Sequence, residues 1–427
     1  LSAHDAGRAF IAVYKYREND FHPYIFRTND YGQSWDLLTD GTNGIPATNF
    51  TRAIREDPDK KGLLYAGTEF GLYISFDDGA HWQSFQSNMP ITPITDLRVH
   101  RKDLVISTQG RAFWILDDVT PLHQVTDEVT AADAWLFEPR PAYRGVTRGA
   151  GINYHFTKLP EKDVTLEILD VNDRVLRTFK GKPGEAPESG NAMMRFFGFG
   201  RGSDKIPVKE GLNTFTWNLR RESPEIPKGV VHWGGMRGPT AVPGNYKVRL
   251  SAGDWSETRT LKVESNPNYP TTVTQYQEQH DFVNEIGEKV QELFDGLTKL
   301  RDVKTQTKGM VERLKKAGME DEEVAKAAEE LNKKLTEIEE KLTQVKSKSR
   351  QDPINFPPQI DNQFTTLYSY VSGNDYQPTA GARQRFEDLK PQLAELMGHL
   401  NQIVDTDVAA VNTLVGSKNV PPVVIAK

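Results

Sequence analysis

The octapeptide Thr28-Asn29-Asp30-Tyr31-Gly32-Gln33-Ser34-Trp35 returns 47 positions later as Ser75-Phe76-Asp77-Asp78-Gly79-Ala80-His81-Trp82. Both copies read [Ser/Thr]-x-Asp-x-Gly-x-x-Trp, and self-similarity at this period marks a repeat fold whose unit is about one propeller blade long. The residue types describe a hairpin turn. An Asp carboxylate accepts nearby backbone N–H groups, Gly takes the positive φ, and Trp packs back between units.

Four strands are legible in the second unit: residues 50–55 innermost, then 63–68, 71–75 and the outer 81–85. A third unit over 96–118 has decayed; Asp117-Asp118 stand for Asp77-Asp78, but Val119 and Leu122 replace the Gly and Trp. The first unit keeps strands at 10–14, 24–27 and 35–38, with only Leu1-Ser2-Ala3-His4 left of an inner strand. Two to three blades leave sheet edges open, since a closed propeller takes about four to eight. The expectation is a C-terminal part of a longer protein, completed by its N-terminal remainder or by a separate chain.

The repeat resembles the Asp-box, or bacterial neuraminidase repeat, of sialidases, xyloglucanases and sortilin-type receptors. The strings "PYIFRTNDYGQSW", "EDPDKKGLLYAGTEFGLYISFDDGAHWQSFQ" and "GRAFWILDDVTPL" carry the likeness. They are similar to large secreted bacterial proteins called neuraminidase-repeat glycosyl hydrolases or sortilin-N-terminal-like proteins. The resemblance implies an extracytoplasmic location: periplasmic, outer-membrane-associated or secreted.

Beyond the blades (1–125) and a connector (126–150), the pattern changes twice. Over 151–268, alternating strands at 164–170, 174–179, 211–218, 243–250 and 257–263 argue for a β-sandwich. Its strings "ILDVNDRVLRTF", "GLNTFTWNL" and "VPGNYKVRL" resemble the Ig-like module of flagellar hook-capping and secreted bacterial proteins. Over 269–427 the period becomes helical: Val283, Ile286, Val290, Leu293, Leu297 and Leu300 step by three and four, as do Leu331, Leu335, Ile338, Leu342 and Val345. Gly318 and an acidic start at Glu320 mark a hairpin; Pro353, Pro357 and Pro358 precede a shorter helix around Phe364, and a last helix follows through Phe386, Leu393 and Leu400. The fold class is therefore multidomain, β plus α: a partial Asp-box propeller, an Ig-like sandwich and an antiparallel helical bundle.

Net charge of −6 without a basic run argues against a nucleic-acid partner. There is no cysteine, so neither disulfides nor thiolate metal sites exist, and no apolar run approaches the roughly 20 residues of a membrane span. Nine histidines fall at no metal-ligand spacing, and no phosphate loop or nucleophile elbow is present, so no metal or cofactor is expected.

Asp30 and Asp77, with Gly32, Trp35, Gly79 and Trp82, are read as turn chemistry rather than as paired carboxylates for glycoside hydrolysis, because they recur with the turn. Candidate ligand-binding residues fall on the opposite loops: Arg17, Glu18, Asp20 and His22 in a long polar loop, Glu69-Phe70, and Gln109 and Arg111. Glu18, Asp20 and Glu69 are the candidate acids or nucleophiles, and Arg17 or Arg111 the holders of an anionic group; Glu69 and Arg111 read equally well as a salt bridge between blades. A sialidase needs three clustered arginines and a Tyr-Glu pair, which do not assemble here. The Gly-rich segment 230–239 with Trp233 suits a contact loop, first within the chain and second to a partner. The first functional expectation is recognition or scaffolding through the propeller, binding a protein, peptide or glycan. The alternative is a glycoside hydrolase with its site partly in missing blades.

Overall fold

The computed structural model describes the chain except for residues 148, 185–204, 232–235, 317, 319, 350 and 419–427. The protein is mixed β and α, with several antiparallel sheets followed by a helical region.

The first sheet is β1 (Ala9–Lys15), β2 (Asp20–Thr28) and β3 (Asp36–Leu37), in that order. The second is β4 (Thr51–Glu56), β5 (Leu64–Thr68), β6 (Gly71–Ser75) and β7 (Gln83–Ser84). The third is β8 (Ile94–His100), β9 (Asp103–Thr108) and β10 (Phe113–Leu116). All three are antiparallel meanders, so the strands expected from the repeat form, most with boundaries moved by a residue or two and β2 starting four residues earlier than expected. Strands β4 and β8 each carry a register shift at the same place, between Thr51 and Ala53 and between Ile94 and Asp96.

The middle sheet is covered on both faces. Leu64, Ala66, Tyr73 and Trp82 pack against Ile25 of the first sheet, while Tyr65, Leu72 and Ile74 pack against Ile94, Leu97 and Leu104 of the third. Because both faces are dry, β5 and β6 are buried at every position and lack polar alternation. Gly67 permits the close approach: a Cβ there would lie 2.6 Å from Ile94 Cγ2. The expected inner strand at residues 1–4 does not form. That segment turns back instead, with Ser2 bonded to Glu56 and His4 Nε2 2.8 Å from the Asp57 carbonyl.

Two short helices, α1 (Thr120–Gln124) and α2 (Asp127–Ala131), lead into the next sheets. Strands β11 (Ala134–Leu136), β12 (Ala142–Tyr143), β13 (Ala150–Phe156), β14 (Val164–Leu169), β15 (Val175–Gly181), β16 (Gly211–Trp217), β17 (Gly244–Ala252) and β18 (Trp255–Glu264) follow. They form two sheets, β11-β13-β16 and β12-β18-β17-β14-β15, antiparallel except for β12 against β18. Tyr154, Phe156 and Trp217 from one sheet share a core with Leu166, Ile168, Val248 and Leu261 from the other. Residues expected as a connector supply β11 and β12.

The helical region is α3 (Val273–Lys316), α4 (Glu322–Leu342), α5 (Ile360–Ser372), α6 (Ala380–Gln402), a π turn at Ile403–Val408 and α7 (Ala409–Ser417). Asp321 caps α4 by accepting from the N–H groups of Glu323 and Val324, and Thr379 caps α6. Ile286, Leu293 and Leu300 of α3 meet Leu331 and Leu335 of α4, Phe364 of α5, and Phe386 and Leu393 of α6 in one core. Buried Glu339 takes Arg301 Nε and Lys304 Nζ at 2.7 Å each. No helix of the described residues is long and apolar enough to cross a membrane.

The Gly-rich segment packs within the chain where it is described. Met236 is buried in the helical core, Tyr368 Oη donates to the Arg237 carbonyl at 3.0 Å, and Asn362 Nδ2 to that of Val231 at 3.2 Å. Trp233 lies outside the described residues.

Candidate functional site

The two repeated turns have the same hydrogen bonds. Ser34 N–H donates to Asp30 Oδ1 and His81 N–H to Asp77 Oδ1, both at 2.9 Å. Gly32 N–H donates to Thr28 Oγ1 and Gly79 N–H to Ser75 Oγ, again at 2.9 Å. Gly32 and Gly79 take φ of +86° and +89°, the left-handed region that glycine tolerates. Bonds from the Ser34 hydroxyl and amide, then from Thr28, hold the Asp30 carboxyl down to about 2. The two tryptophans differ. Trp82 is buried between the first two sheets with Nε1 donating to the Leu38 carbonyl, whereas Trp35 is 40 % exposed and lies against no preceding sheet.

At the other end of these sheets, the loop expected over 16–22 is short. A single 3-10 turn, Tyr16–Glu18, ends on left-handed Asn19, and Asp20 to His22 already belong to β2. The short loop folds because aromatic rings hold it. Tyr16 stacks on Phe50 at 5.1 Å and on Tyr14 at 5.5 Å, and Phe21 leans on Phe50 at 6.2 Å. Two adjoining clefts result. One, of about 510 Å³, is lined by Phe21, Thr48, Asn49, Phe50, Glu69 and Phe70; its neighbour, of about 550 Å³, by Asn19, Asp20, Phe21, His22, Tyr24, Ala47 and Thr48. Phe21 and Phe70 are 43 % and 50 % exposed, so the walls are apolar rings open to solvent.

Both carboxylates of these clefts have partners. Arg52 ion-pairs with Glu69 at 2.5 Å while its guanidinium lies 5.3 Å over the Phe50 ring. This corrects the expected pairing of Glu69 with Arg111: the partner comes from Arg52 on the adjacent strand β4, and a local sequence reading does not see cross-strand neighbours. Asp20 accepts from the His22 amide at 3.1 Å and the Tyr24 hydroxyl at 2.8 Å, with Lys15 at 3.5 Å. The His22 amide first and the Tyr24 hydroxyl second hold it down at about 2. An acid so stabilised has no proton to give near neutral pH.

The fold thus gathers Asp20, Phe21, His22, Glu69 and Phe70, and adds Phe50, Thr48 and Asn49, which sequence reasoning missed. Their only signal was the density of aromatic residues in Tyr14, Tyr16, Phe21 and Phe50. Glu18 is exposed and pairs with Lys15 at 3.2 Å, and Arg17 lies exposed on the Tyr16 ring. Gln109 and Arg111 sit exposed in the β9–β10 hairpin and line neither cleft.

The fold also assembles a cluster that sequence spacing did not indicate, Asp57, Asp59 and His123, with ligand atoms within 4.8 Å of one another. Buried Asp57 is already spent: Oδ1 accepts from the Asp59 and Lys60 amides, and Oδ2 takes the Tyr65 hydroxyl at 2.9 Å and lies 3.0 Å from His123 Nε2. Burial raises its carboxyl, but the His123 and Asp59 bonds outweigh this and leave it lowered. The group anchors α1 on the middle sheet.

No family model matches the chain, and no curated protein matches it. Solved structures do. The extracellular domain of a hybrid two component system from B. thetaiotaomicron is 9% identical over 57% of this chain, with a TM-score of 0.19. An ancestral GH74 enzyme is 12% identical over 59%, with a TM-score of 0.23. The chain spans 28% and 40% of those two chains. At such TM-scores the likeness says nothing of what this chain does.

Proposed function

We propose that the chain is an extracytoplasmic recognition or scaffold protein whose aromatic clefts bind a peptide or glycan segment. The carrying observation is a pair of solvent-open rings, Phe21 and Phe70, set against buried Phe50, whose neighbouring carboxylates Glu69 and Asp20 are committed to Arg52 and to backbone and tyrosine donors. Rings supply stacking area for sugar or side-chain faces, and fixed carboxylates supply acceptors. Asp20, held down at about 2, has no proton to give near neutral pH.

In this reading residues 1–125 are Asp-box propeller blades, 151–268 an Ig-like sandwich and 269–427 a helical bundle. The outer faces of the end sheets support it. Ile11, Phe26 and Leu37 stand in register across the first sheet, and Phe113 and Ile115 are 77 % and 59 % exposed on the third. Faces of this kind are covered on the middle sheet, so further sheets of the same repeat, from an N-terminal remainder or a separate chain, would cover them. A periplasmic, outer-membrane or secreted location follows from the resemblance of the repeat.

Glu69, as the glutamate lining a cleft, favours the second reading, a glycoside hydrolase with part of its site in further blades. Peptide and glycan arrays with a parallel hydrolysis screen separate the two. Binding that falls by about tenfold or more in Phe70→Ala or Phe21→Ala, without turnover, upholds recognition. Turnover abolished by Glu69→Gln or Glu18→Gln in a folded protein reverses the ranking.

A further inference from the structure

A second cavity, of about 690 Å³, opens between the two-sheet region and the helices, far in sequence from the aromatic clefts. Its floor is a fixed network. Buried Arg144 donates to Asp375 at 3.0 Å and to Gln279 at 3.1 Å, and lies 4.3 Å over the Tyr276 ring. Asn266 donates to the other Asp375 oxygen at 2.8 Å. Gly145 makes room for this, since a Cβ there would lie 2.5 Å from Asn266 Nδ2. Asp375 is therefore fully committed.

Arg220 is not. It lines the same cavity, its Nη1 donates to the Gly238 carbonyl at 2.9 Å, and no carboxylate of the described residues pairs with it. Burial first, then the Arg237 and Arg144 charges, push its pKa below the usual range against an opposing pull from Tyr368 and Asp375. Around it stand groups with open hydrogen-bonding capacity. The side chains of Asn268 and Thr240 and the hydroxyls of Tyr269 and Tyr376 bond to none of the described residues. Tyr269 and Tyr376 meet edge to face at 4.9 Å at the rim. A guanidinium with no ion-pair partner among the described residues can take an anion, while neutral amides, hydroxyls and tyrosine rings suit a hydroxylated ring.

We propose that this cavity binds an acidic sugar, a hexuronate unit of an oligosaccharide, with its carboxylate on Arg220 and its hydroxyls on the Asn268 and Thr240 side chains. The ring lies against Tyr376. The site is independent of the aromatic clefts, so its failure and theirs are separable.

Calorimetric titration of the whole chain with trigalacturonate, galactotriose and inorganic phosphate tests it. The expected result is saturable trigalacturonate binding, at least about tenfold tighter than galactotriose and weakened about tenfold by R220Q. Phe70→Ala leaves it unchanged. Because Arg220 also bonds the Gly238 carbonyl, the exposed substitutions Asn268→Ala and Tyr376→Ala serve as controls that preserve the fold, and each weakens trigalacturonate binding. No saturable binding, equal affinity for galactotriose, equal competition by phosphate, or indifference to all three substitutions overturns the proposal.

Discussion

Asp77 and Asp30 serve the chain next to them. Each takes amide and hydroxyl donors from within four residues, and His81 Nδ1 adds to Asp77 at 2.6 Å. Removing the acceptor leaves turn amides to water, so Asp77→Ala costs about 1 kcal/mol by urea denaturation and leaves cleft binding unchanged. Loss of binding with full stability would make Asp77 a site residue instead. The same bonds set the acid response. Asp20 and Asp30 sit at about 2, below the unfolded value near 3.9. Their contribution is complete above roughly pH 4 and disappears as pH falls from there toward about 2. Asp30→Asn therefore flattens the stability profile in that window and nowhere else, measurable by denaturation at stepped pH.

At the level of elements, the repeat was legible because turn chemistry is local. The octapeptides mark their hairpins and the adjoining strands follow, β2 with a start four residues early. Strands β11 and β12, three and two residues long, were not read from the pattern because such short pieces carry no period, and the seven-residue β13 was not read either. The distance between sheets was also hidden. Gly67 reads as a strand glycine, and only the packed fold reveals Ile94 against it. Gly67→Val forces the middle and third sheets apart and costs about 2 kcal/mol, checked by thermal and urea unfolding; a neutral result means that Ile94 has room to move. Helix α5 offers the opposite sign. Burial pushes Asp361 up to about 6, despite bonds from Thr343 and the Asn362 amide. Its folded value lies above the unfolded one, so protonation favours the fold, and stability declines as pH rises from about 4 to 6. Asp361→Asn, which keeps one acceptor without the charge, raises the melting temperature at pH 7 and removes that slope. An unchanged profile contradicts the assignment.

Across the whole molecule, the two-sheet region and the helices are joined through Arg144 and Asp375, 231 residues apart in sequence. Breaking a buried pair strands a charge, so Arg144→Met destabilises by about 3–5 kcal/mol, and adding Asp375→Asn restores part of the loss. Urea unfolding of the single and double variants checks this; equal losses in both deny the coupling. Sequence by itself determined the repeat, the order of β then helical segments, the seams of α3 to α6 and the turn role of Asp30 and Asp77. Those depend on neighbours within a few residues or on a period. Tertiary structure alone decided that Glu69 answers to Arg52, that Phe21, Phe50 and Phe70 share a cleft, that Trp82 is buried while Trp35 is open, and that Arg220 faces a polar cavity with no ion-pair partner among the described residues. Each depends on which distant strands and helices meet, and packing across sheets and between regions, not local chain chemistry, settles that.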